Sequence, residues 1–219
     1  MVDFSYLEKK VKSGTCARWE VIDYLIKKNN WNSGIEIGTW KGETFKFLLE
    51  NNKNLKLIGI DSYCAQPENK GPEKWTTGEN GHSWDHETYY NDLTKFCEKL
   101  NNGSYIIKGF SNNVYKSLKK EKFDFVFIDG DHSKRGVFED IKNYYPLIKD
   151  GGFILGHDIN WKDVKYVVSK FFGNFLINKM HSYEEFDDFI WCVKKPKKIF
   201  TKLFCEINFK TVKKLIKIR

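Results

Sequence analysis

The stretch from Phe123 to Asp129 limits the possible folds most strongly, because it is almost entirely apolar and ends in a carboxylate. A short apolar run of this kind is typical of a strand buried on both faces of a sheet. Comparable runs alternate with amphipathic segments, which predicts a mostly parallel sheet with helices on both faces. The predicted strands are 34–38, 55–61, 105–108, 123–129 and 153–157, with two late strands near 174–180 and 188–194.

Helical periodicity fills the segments between these strands. The predicted helices are 5–29, 87–100, 112–119 and 161–171. A further helix, which Thr39 is expected to cap, carries Phe45, Leu48 and Leu49 on one face. Another begins at Ser133 and presents Val137, Ile141, Tyr144, Tyr145 and Ile148 together, and a turn at 150–152 follows it.

The net charge of +8 is unevenly distributed. Residues 194–219 hold ten basic residues and one acidic residue, which leaves 27 basic and 28 acidic residues in the rest of the chain. The body is therefore close to neutral, and a nucleic-acid partner is not expected for it. Five widely spaced cysteines without a Cys-x-x-Cys pair, and a start without an apolar signal region, fit a reducing cytoplasm.

A glycine-bearing turn follows the first predicted strand at residues 36–42, in the sequence EIGTWKG. Gly38 and Gly42 would let a ligand approach the backbone where a helix begins. Trp40 occupies the place of the middle glycine of a dinucleotide-binding fingerprint, and no phosphate-loop ending follows. An ordinary strand-to-helix turn is thus the alternative to a cofactor site.

A carboxylate, Asp61, closes the second predicted strand 23 residues after Gly38. A carboxylate there can accept hydrogen bonds from both hydroxyls of a ribose. A surface aspartate at a strand end is the alternative, but the nearby glycine-bearing turn favours a cofactor-binding role.

Two further strands end in the acidic sequences IDGDHS, residues 128–133, and GHD, residues 156–158. A charge directly after an apolar strand is costly unless it has a partner. Because neighbouring strands lie about 4.8 Å apart, Asp129 and Asp158 are expected to converge on one hard cation such as Mg²⁺ or Mn²⁺. The alternative is that Asp131 and Asp158 only cap the following helices.

His132 lies three residues after Asp129. A neutral imidazole at this position could accept a proton from a substrate hydroxyl near neutral pH. A helix-start histidine that bonds only to the backbone is the alternative.

These segments together, with GID at 59–61 and LIKDGGFILGHD at 147–158, resemble the class I S-adenosylmethionine-dependent methyltransferases. They are most similar to the branch that includes metal-dependent sugar O-methyltransferases. The resemblance covers roughly residues 30–195, and the pair IDGDHS and GHD is its specific part. It implies a Rossmann-like α/β domain over residues 1–193, with a seven-stranded, mostly parallel sheet and an antiparallel last strand.

The resemblance also implies roles for individual residues. Those around S-adenosyl-L-methionine would be Glu36, Gly38, Thr39, Trp40, Gly42, Asp61, Ser62, Phe110, Ser111 and Asp129. The metal ligands for Mg²⁺ (or Mn²⁺) would be Asp129, His157 and Asp158, where His157 replaces an acid that metal-dependent relatives often carry. His132 would be the catalytic base, with Asp129 beside it, for transfer of the sulfonium methyl group to a sugar hydroxyl.

The long segment 62–88 contains prolines, glycines and scattered aromatic residues and is expected to cover the substrate. Trp75 and Trp84 would stack on a sugar, and His82 or His86 would bond its hydroxyls. A disordered or oligomer-contact loop is the alternative.

The basic segment 194–219 has apolar residues at helical spacing and could lie on an anionic membrane surface. Packing against the body or against a second copy of the chain is the alternative. Competing functions are an RNA methyltransferase, a nicotinamide oxidoreductase and a non-catalytic membrane-associated module. The leading prediction is a cytoplasmic enzyme, peripheral to the inner membrane face if the tail binds it, that acts on a small-molecule or glycan hydroxyl.

Overall fold

The apolar segments found in the sequence form one seven-stranded sheet in the computed structural model, which describes residues 17–64, 85–173, 178–183 and 188–196. The strands are β1 (Ser33–Ile37), β2 (Lys56–Asp61), β3 (Tyr105–Lys108), β4 (Phe123–Ile128), β5 (Ile148–Gly156), β6 (Asn178–Tyr183) and β7 (Asp188–Lys194). The helices are α1 (Arg18–Asn29), α2 (Glu43–Asn51), α3 (His86–Leu100), α4 (Ser111–Val114), α5 (Lys134–Tyr144) and α6 (Lys162–Phe172).

The strand order is β3-β2-β1-β4-β5-β7-β6. The first five strands pair in parallel, and β7 runs antiparallel to both β5 and β6. The predicted Rossmann-like fold class is therefore confirmed. This topology brings the carboxyl ends of β1, β2, β4 and β5 to one edge, where ligands bind in open α/β sheets.

Both faces of the sheet are buried, as the apolar composition of β4 requires. Val126 and Ile128 pack into the cluster formed with α5 and α6. Phe125 and Phe127 alternate with them and pack into the cluster formed with α1, α2 and α3. The residues from Phe125 to Ile128 therefore lie fully inside the domain, and polar groups are presented only at the two ends of the strand.

Asp124 fixes the opposite edge of the sheet. One of its carboxylate oxygens accepts hydrogen bonds from the backbone N–H groups of Asn32 and Ser33, both at 3.0 Å, and from the Ser33 hydroxyl. The other oxygen accepts from Lys149 Nζ at 2.8 Å. A polar group within β4 thus joins the beginnings of β1 and β5, which holds three strands in register.

Three local predictions are wrong. Thr39 does not cap the following helix, because α2 begins only at Glu43 after Gly42, whose φ of 79° places it in the left-handed region. Ile148 belongs to β5 and not to the preceding helix, since α5 ends at Tyr144 and Pro146 forms a tight turn. The predicted turn at 150–152 is part of β5 as well, beside a register shift between Phe123 and Phe125.

Other boundaries are shifted. The predicted helix at 112–119 is only the short α4, and the late strand expected near 174–180 is β6. Beyond β7, Lys195 is buried and donates from Nζ to the Ile148 carbonyl at 2.6 Å. Residues 197–219 of the basic segment lie outside the described residues. Within the described part of the chain, no helix has the length and apolar composition that crossing a membrane requires.

Gly34→Ala is expected to destabilise the fold. A Cβ on Gly34 would lie 2.4 Å from the Phe125 ring, and that ring stacks on Trp31 with centroids 5.2 Å apart, so it has little room to move. We expect a loss of about 1–3 kcal/mol in the free energy of unfolding, measured by urea titration. Lys53→Ala, an exposed turn position, is the control; equal stability of the two variants would contradict this packing.

Candidate active site

Gly38 marks a close approach of two strand ends. Its φ is 87°, and a Cβ there would lie 2.1 Å from the carbonyl oxygen of Asp129. A Cβ on Gly42 would meet the Leu93 side chain of α3 at 2.2 Å. Both glycines are thus required by packing within the protein, while their predicted contact with a cofactor stays a prediction.

The ends of β4 and β5 bring four side chains together: Asp129, His132, His157 and Asp158. One possible ligand atom from each lies within 4.8 Å of the others. His132 Nε2 is 2.7 Å from Asp158 Oδ2 and 3.5 Å from Asp129 Oδ1. His157 Nδ1 is 3.2 Å from Asp129 Oδ1 and 3.3 Å from Asp158 Oδ2. Neighbouring strand ends therefore converge as expected, and this group is called the Asp–His cluster below.

Asp131, the other acid considered for this site, takes a local role. Its carboxylate accepts a hydrogen bond from the Ser133 N–H at 2.8 Å. Ser133 in turn accepts from the Gly136 N–H at 3.1 Å and caps α5, as its place in the sequence predicted.

The charges of the Asp–His cluster depend on one another. Burial disfavours ionisation of Asp129, but hydrogen bonds with His132 and His157 outweigh this and hold its pKa well below the usual range. Asp158 is similarly lowered, to a pKa of about 2. Burial lowers the pKa of His132, but the two carboxylates outweigh it and raise the value to about 9. The two carboxylates thus stabilise the protonated form of His132.

Glu36 lies at the same edge, in β1, and is 2% exposed. Among the described residues its Oε2 has no hydrogen-bond partner. Burial, followed by the negative charge of Asp129, raises its pKa well above the usual range. The site thus contains a buried carboxyl oxygen that could accept a hydrogen bond from a ligand.

Arg18 was not identified from the sequence. It begins α1, donates from Nε to the Thr44 hydroxyl at 3.1 Å, and lies 3.7 Å from Asp129 Oδ2. A basic residue in the first helical turn, where acids are favoured, was the available clue.

Asp61 holds a strained backbone in place. Its two oxygens accept from the Trp40 N–H at 2.9 Å and the Tyr63 N–H at 2.8 Å. Both residues have positive φ, 45° and 46°, which bulky side chains rarely adopt. Such strain concentrates at functional sites. Since each carboxylate oxygen has a second lone pair, Asp61 can still accept a hydrogen bond from a ligand. Ser62 is half-buried and stands between Asp61 and Tyr63 in the chain.

Phe110 and Ser111 lie at the start of α4. Phe110 is 48% exposed, whereas the Ser111 hydroxyl donates to Asp140 Oδ1 at 2.5 Å. The Ser111 carbonyl accepts from the Tyr144 hydroxyl at 2.8 Å. Asp140 was also missed by sequence reasoning, although it shares the apolar face of α5 with Val137 and Tyr144. An acid on a buried helical face was the clue.

Trp161, which the sequence did not single out, lies beside the Asp–His cluster. Asp158 has φ of 53°, and its carbonyl accepts from the Trp161 N–H at 2.9 Å. This turn places the indole 5.0 Å from the His132 ring with 39% of the residue exposed. The predicted substrate residues Trp75, His82 and Trp84 lie outside the described residues. His86 begins α3, and no described contact joins it to the Asp–His cluster.

Comparison with known protein families identifies the domain that contains this site. A family described as a methyltransferase domain matches residues 35–159, which include Glu36, Asp61 and the whole Asp–His cluster. The chain belongs to this methyltransferase family. The resemblance to class I S-adenosylmethionine-dependent methyltransferases is thereby confirmed.

Individual similarities to this methyltransferase are distant. An uncharacterized protein of Acanthamoeba polyphaga mimivirus is 26% identical over 159 residues, covering 68% of this chain and 63% of the viral protein. The chain therefore matches less than two thirds of that relative.

Solved O-methyltransferase structures share the fold. One from Bacillus cereus, in complex with SAH, is 14% identical with a TM-score of 0.56, over 89% of this chain and 93% of that one. The calicheamicin methyltransferase CalS11 is 12% identical with a TM-score of 0.59, over 88% and 86% of the two chains.

The methyltransferase site has suitable groups for the cofactor and for a cation. The unpartnered Glu36 oxygen fits an ammonium group, and the oriented Asp61 carboxylate fits ribose hydroxyls. Two carboxylates and two imidazoles fit a divalent cation such as Mn²⁺, whereas Mg²⁺ prefers oxygen alone.

Asp140→Asn should make the free energy of unfolding less dependent on pH. Burial raises the pKa of Asp140 from 3.8 to about 7, so the folded state binds the proton more tightly than the unfolded state does. Its contribution to stability is present below pH 4 and is lost as the pH rises towards 7, by up to about 1.4 kcal/mol per pH unit.

Urea unfolding of wild type and Asp140→Asn at pH 5 and pH 8 measures the difference. The variant should gain stability relative to wild type at pH 8, because asparagine can still accept from Ser111 without ionising. An unchanged difference between the two pH values would contradict the raised pKa of Asp140.

Proposed function

We propose that this methyltransferase transfers the methyl group of S-adenosylmethionine to a hydroxyl of a sugar or glycoconjugate, assisted by a divalent cation. The convergence of the Asp–His cluster carries the proposal. Two ionised carboxylates beside two imidazoles can bind a cation and take up a proton. A hydroxyl must lose its proton to become a good nucleophile, which both a nearby cation and a base promote.

Glu36 and Asp61 are proposed to hold the cofactor at the ends of β1 and β2. Glu36 would bind the methionine ammonium group, whose charge would favour the ionised carboxylate. Asp61 would accept from the ribose hydroxyls, and Phe110 would lie against the adenine. The cofactor supplies an electrophilic methyl group on a sulfonium. Binding at this edge would bring that methyl group towards an acceptor beside the Asp–His cluster.

Asp129, His157 and Asp158 are the proposed cation ligands. A bound cation would supply positive charge that makes a nearby hydroxyl more acidic. That charge would also favour the neutral form of His132. Neutral His132 can then accept the hydroxyl proton at Nε2, while the oxygen forms a bond to carbon and the carbon–sulfur bond breaks.

Trp161 is proposed to bind the acceptor. Its exposed indole lies beside His132, and aromatic faces commonly line sites for small ligands. The CalS11 protein, described as a TDP-rhamnose 3'-O-methyltransferase, has the same fold and supports a sugar acceptor.

Asp61→Asn should weaken binding of S-adenosylmethionine about tenfold, because a charged hydrogen-bond acceptor is lost. Isothermal titration calorimetry of the full chain measures this directly. Asp92→Asn, an exposed position on α3, is the matched control and should bind like wild type. If wild type itself binds no S-adenosylmethionine, the proposed function is wrong.

Asp158→Asn should abolish tight binding of Mn²⁺, because it removes one carboxylate ligand. The free Mn²⁺ left in solution, measured by electron paramagnetic resonance, reports the binding. Asparagine tolerates the positive φ of this residue, so the fold should persist. Asp163→Asn, five residues later and outside the Asp–His cluster, is the control and should keep wild-type affinity. Equal affinities in both variants would rule out the cation site; S-adenosylmethionine binding should survive in each.

A further inference from the structure

A basic groove runs along α6 on the acceptor side of the site. Its volume is about 870 Å³, and its described lining includes Lys134, Lys162, Lys165, Lys170, Tyr166 and Asn160. It is called the α6 groove below. It uses none of the residues proposed to hold the cofactor or the cation.

The groove follows from the pattern of α6. Val164, Val167 and Val168 face the core and are at most 2% exposed. Lys162, Lys165 and Lys170 are exposed on the opposite face at helical spacing, and half-buried Tyr166 lies between the two faces. One helix thus buries an apolar face and presents a stripe of lysines outward.

Positive charge in the groove is poorly compensated. No acidic residue is found among its described lining residues. Lys134 lies 3.5 Å from Asp163, but both side chains are 43% exposed. No described ion pair involves Lys165 or Lys170. Several ammonium groups along one concave surface favour an anionic ligand.

Tyr166 provides an aromatic face within this charged surface. Lys134 Nζ and Lys170 Nζ lie 5.3 Å and 5.4 Å from its ring centroid. Aromatic rings flanked by cations suit ligands that combine phosphate with a flat heterocycle, because bases stack on such rings.

The α6 groove begins at the Asp–His cluster. Lys134 follows His132 by two residues, Asn160 follows Asp158 by two, and Trp161 lies against His132. A sugar placed on Trp161 would therefore direct its anomeric substituent along α6. The eleven residues of this helix span about 16 Å, enough for a diphosphate and a nucleoside.

We propose that the α6 groove binds the diphosphate of the acceptor, which is a soluble nucleoside diphosphate sugar. This inference rests on the proposed sugar O-methyltransferase function. The aromatic ring of Tyr166 flanked by lysines, with Trp161 beside His132, favours a sugar nucleotide over a membrane surface. Lysines 165 and 170 bind the phosphates as point charges, and Tyr166 receives the base.

The test measures binding of UDP-glucose and TDP-glucose to the full chain by calorimetry, in EDTA at low salt and with SAH present. The test variant, Lys165→Gln/Lys170→Gln, removes two positive charges from the groove. The control variant, Lys53→Gln/Lys120→Gln, removes the same number of charges at exposed sites on the opposite edge of the sheet. We expect about tenfold weaker sugar-nucleotide binding in the first variant only. Added salt should weaken wild-type binding, and methyl glucoside should show no difference between variants.

Several results would overturn the inference. These are absence of binding by both sugar nucleotides, equal weakening in the control variant, and binding only to vesicles containing anionic lipid, which would identify a membrane surface instead. S-adenosylmethionine affinity is measured in parallel samples without SAH. Wild type that binds S-adenosylmethionine but neither sugar nucleotide refutes the α6 groove alone, whereas wild type that binds no S-adenosylmethionine refutes the proposed function.

Discussion

The pairing of β4 with β5 places Asp129 and Asp158 side by side. The basic residues of the site compensate these two negative charges. Two buried carboxylates cannot both stay ionised without compensating positive charge. His132 and His157 lie within 3.5 Å of these acids, and Arg18 lies 3.7 Å from one of them. The protonated form of His132 is therefore stabilised by carboxylates that the strand pairing brings together.

The rest of the sheet keeps these strand ends in place. Asp124 ties β1, β4 and β5 together at the far edge. At the near edge, the backbone N–H of Asp129 donates to the Ile37 carbonyl at 2.8 Å, and Gly38 leaves no side chain in the way. Asp61 adds strain beside this rigid frame by holding Trp40 and Tyr63 at positive φ. The cofactor edge is thus built on fixed strand ends with strained turns between them.

The sequence revealed those parts of the site that depend on local pattern. Apolar strands ending in Asp61 and Asp129 identify the edge of the sheet, because strand burial and the parallel topology leave few other arrangements. Arg18, Asp140 and Trp161 were missed because their roles depend on distant neighbours: Asp129, Ser111 and His132. Thr39 looked like a helix cap, but the left-handed Gly42 moved the helix start by several residues. Ile148 fitted a helical spacing that Pro146 interrupts.

The position of β7 has a consequence for synthesis of the chain. β5 carries His157 and Asp158 at its end, yet its outer neighbour is supplied by residues 188–194, which are made later. Until those residues leave the ribosome, the backbone of Phe153–Gly156 is an open strand edge, which invites pairing with other chains. The part of the sheet formed by β1, β2 and β3 can form before residues 188–194 are made, whereas the β5 edge is covered only after them. A chain that still lacks β7 would therefore expose β5 to pairing with other chains.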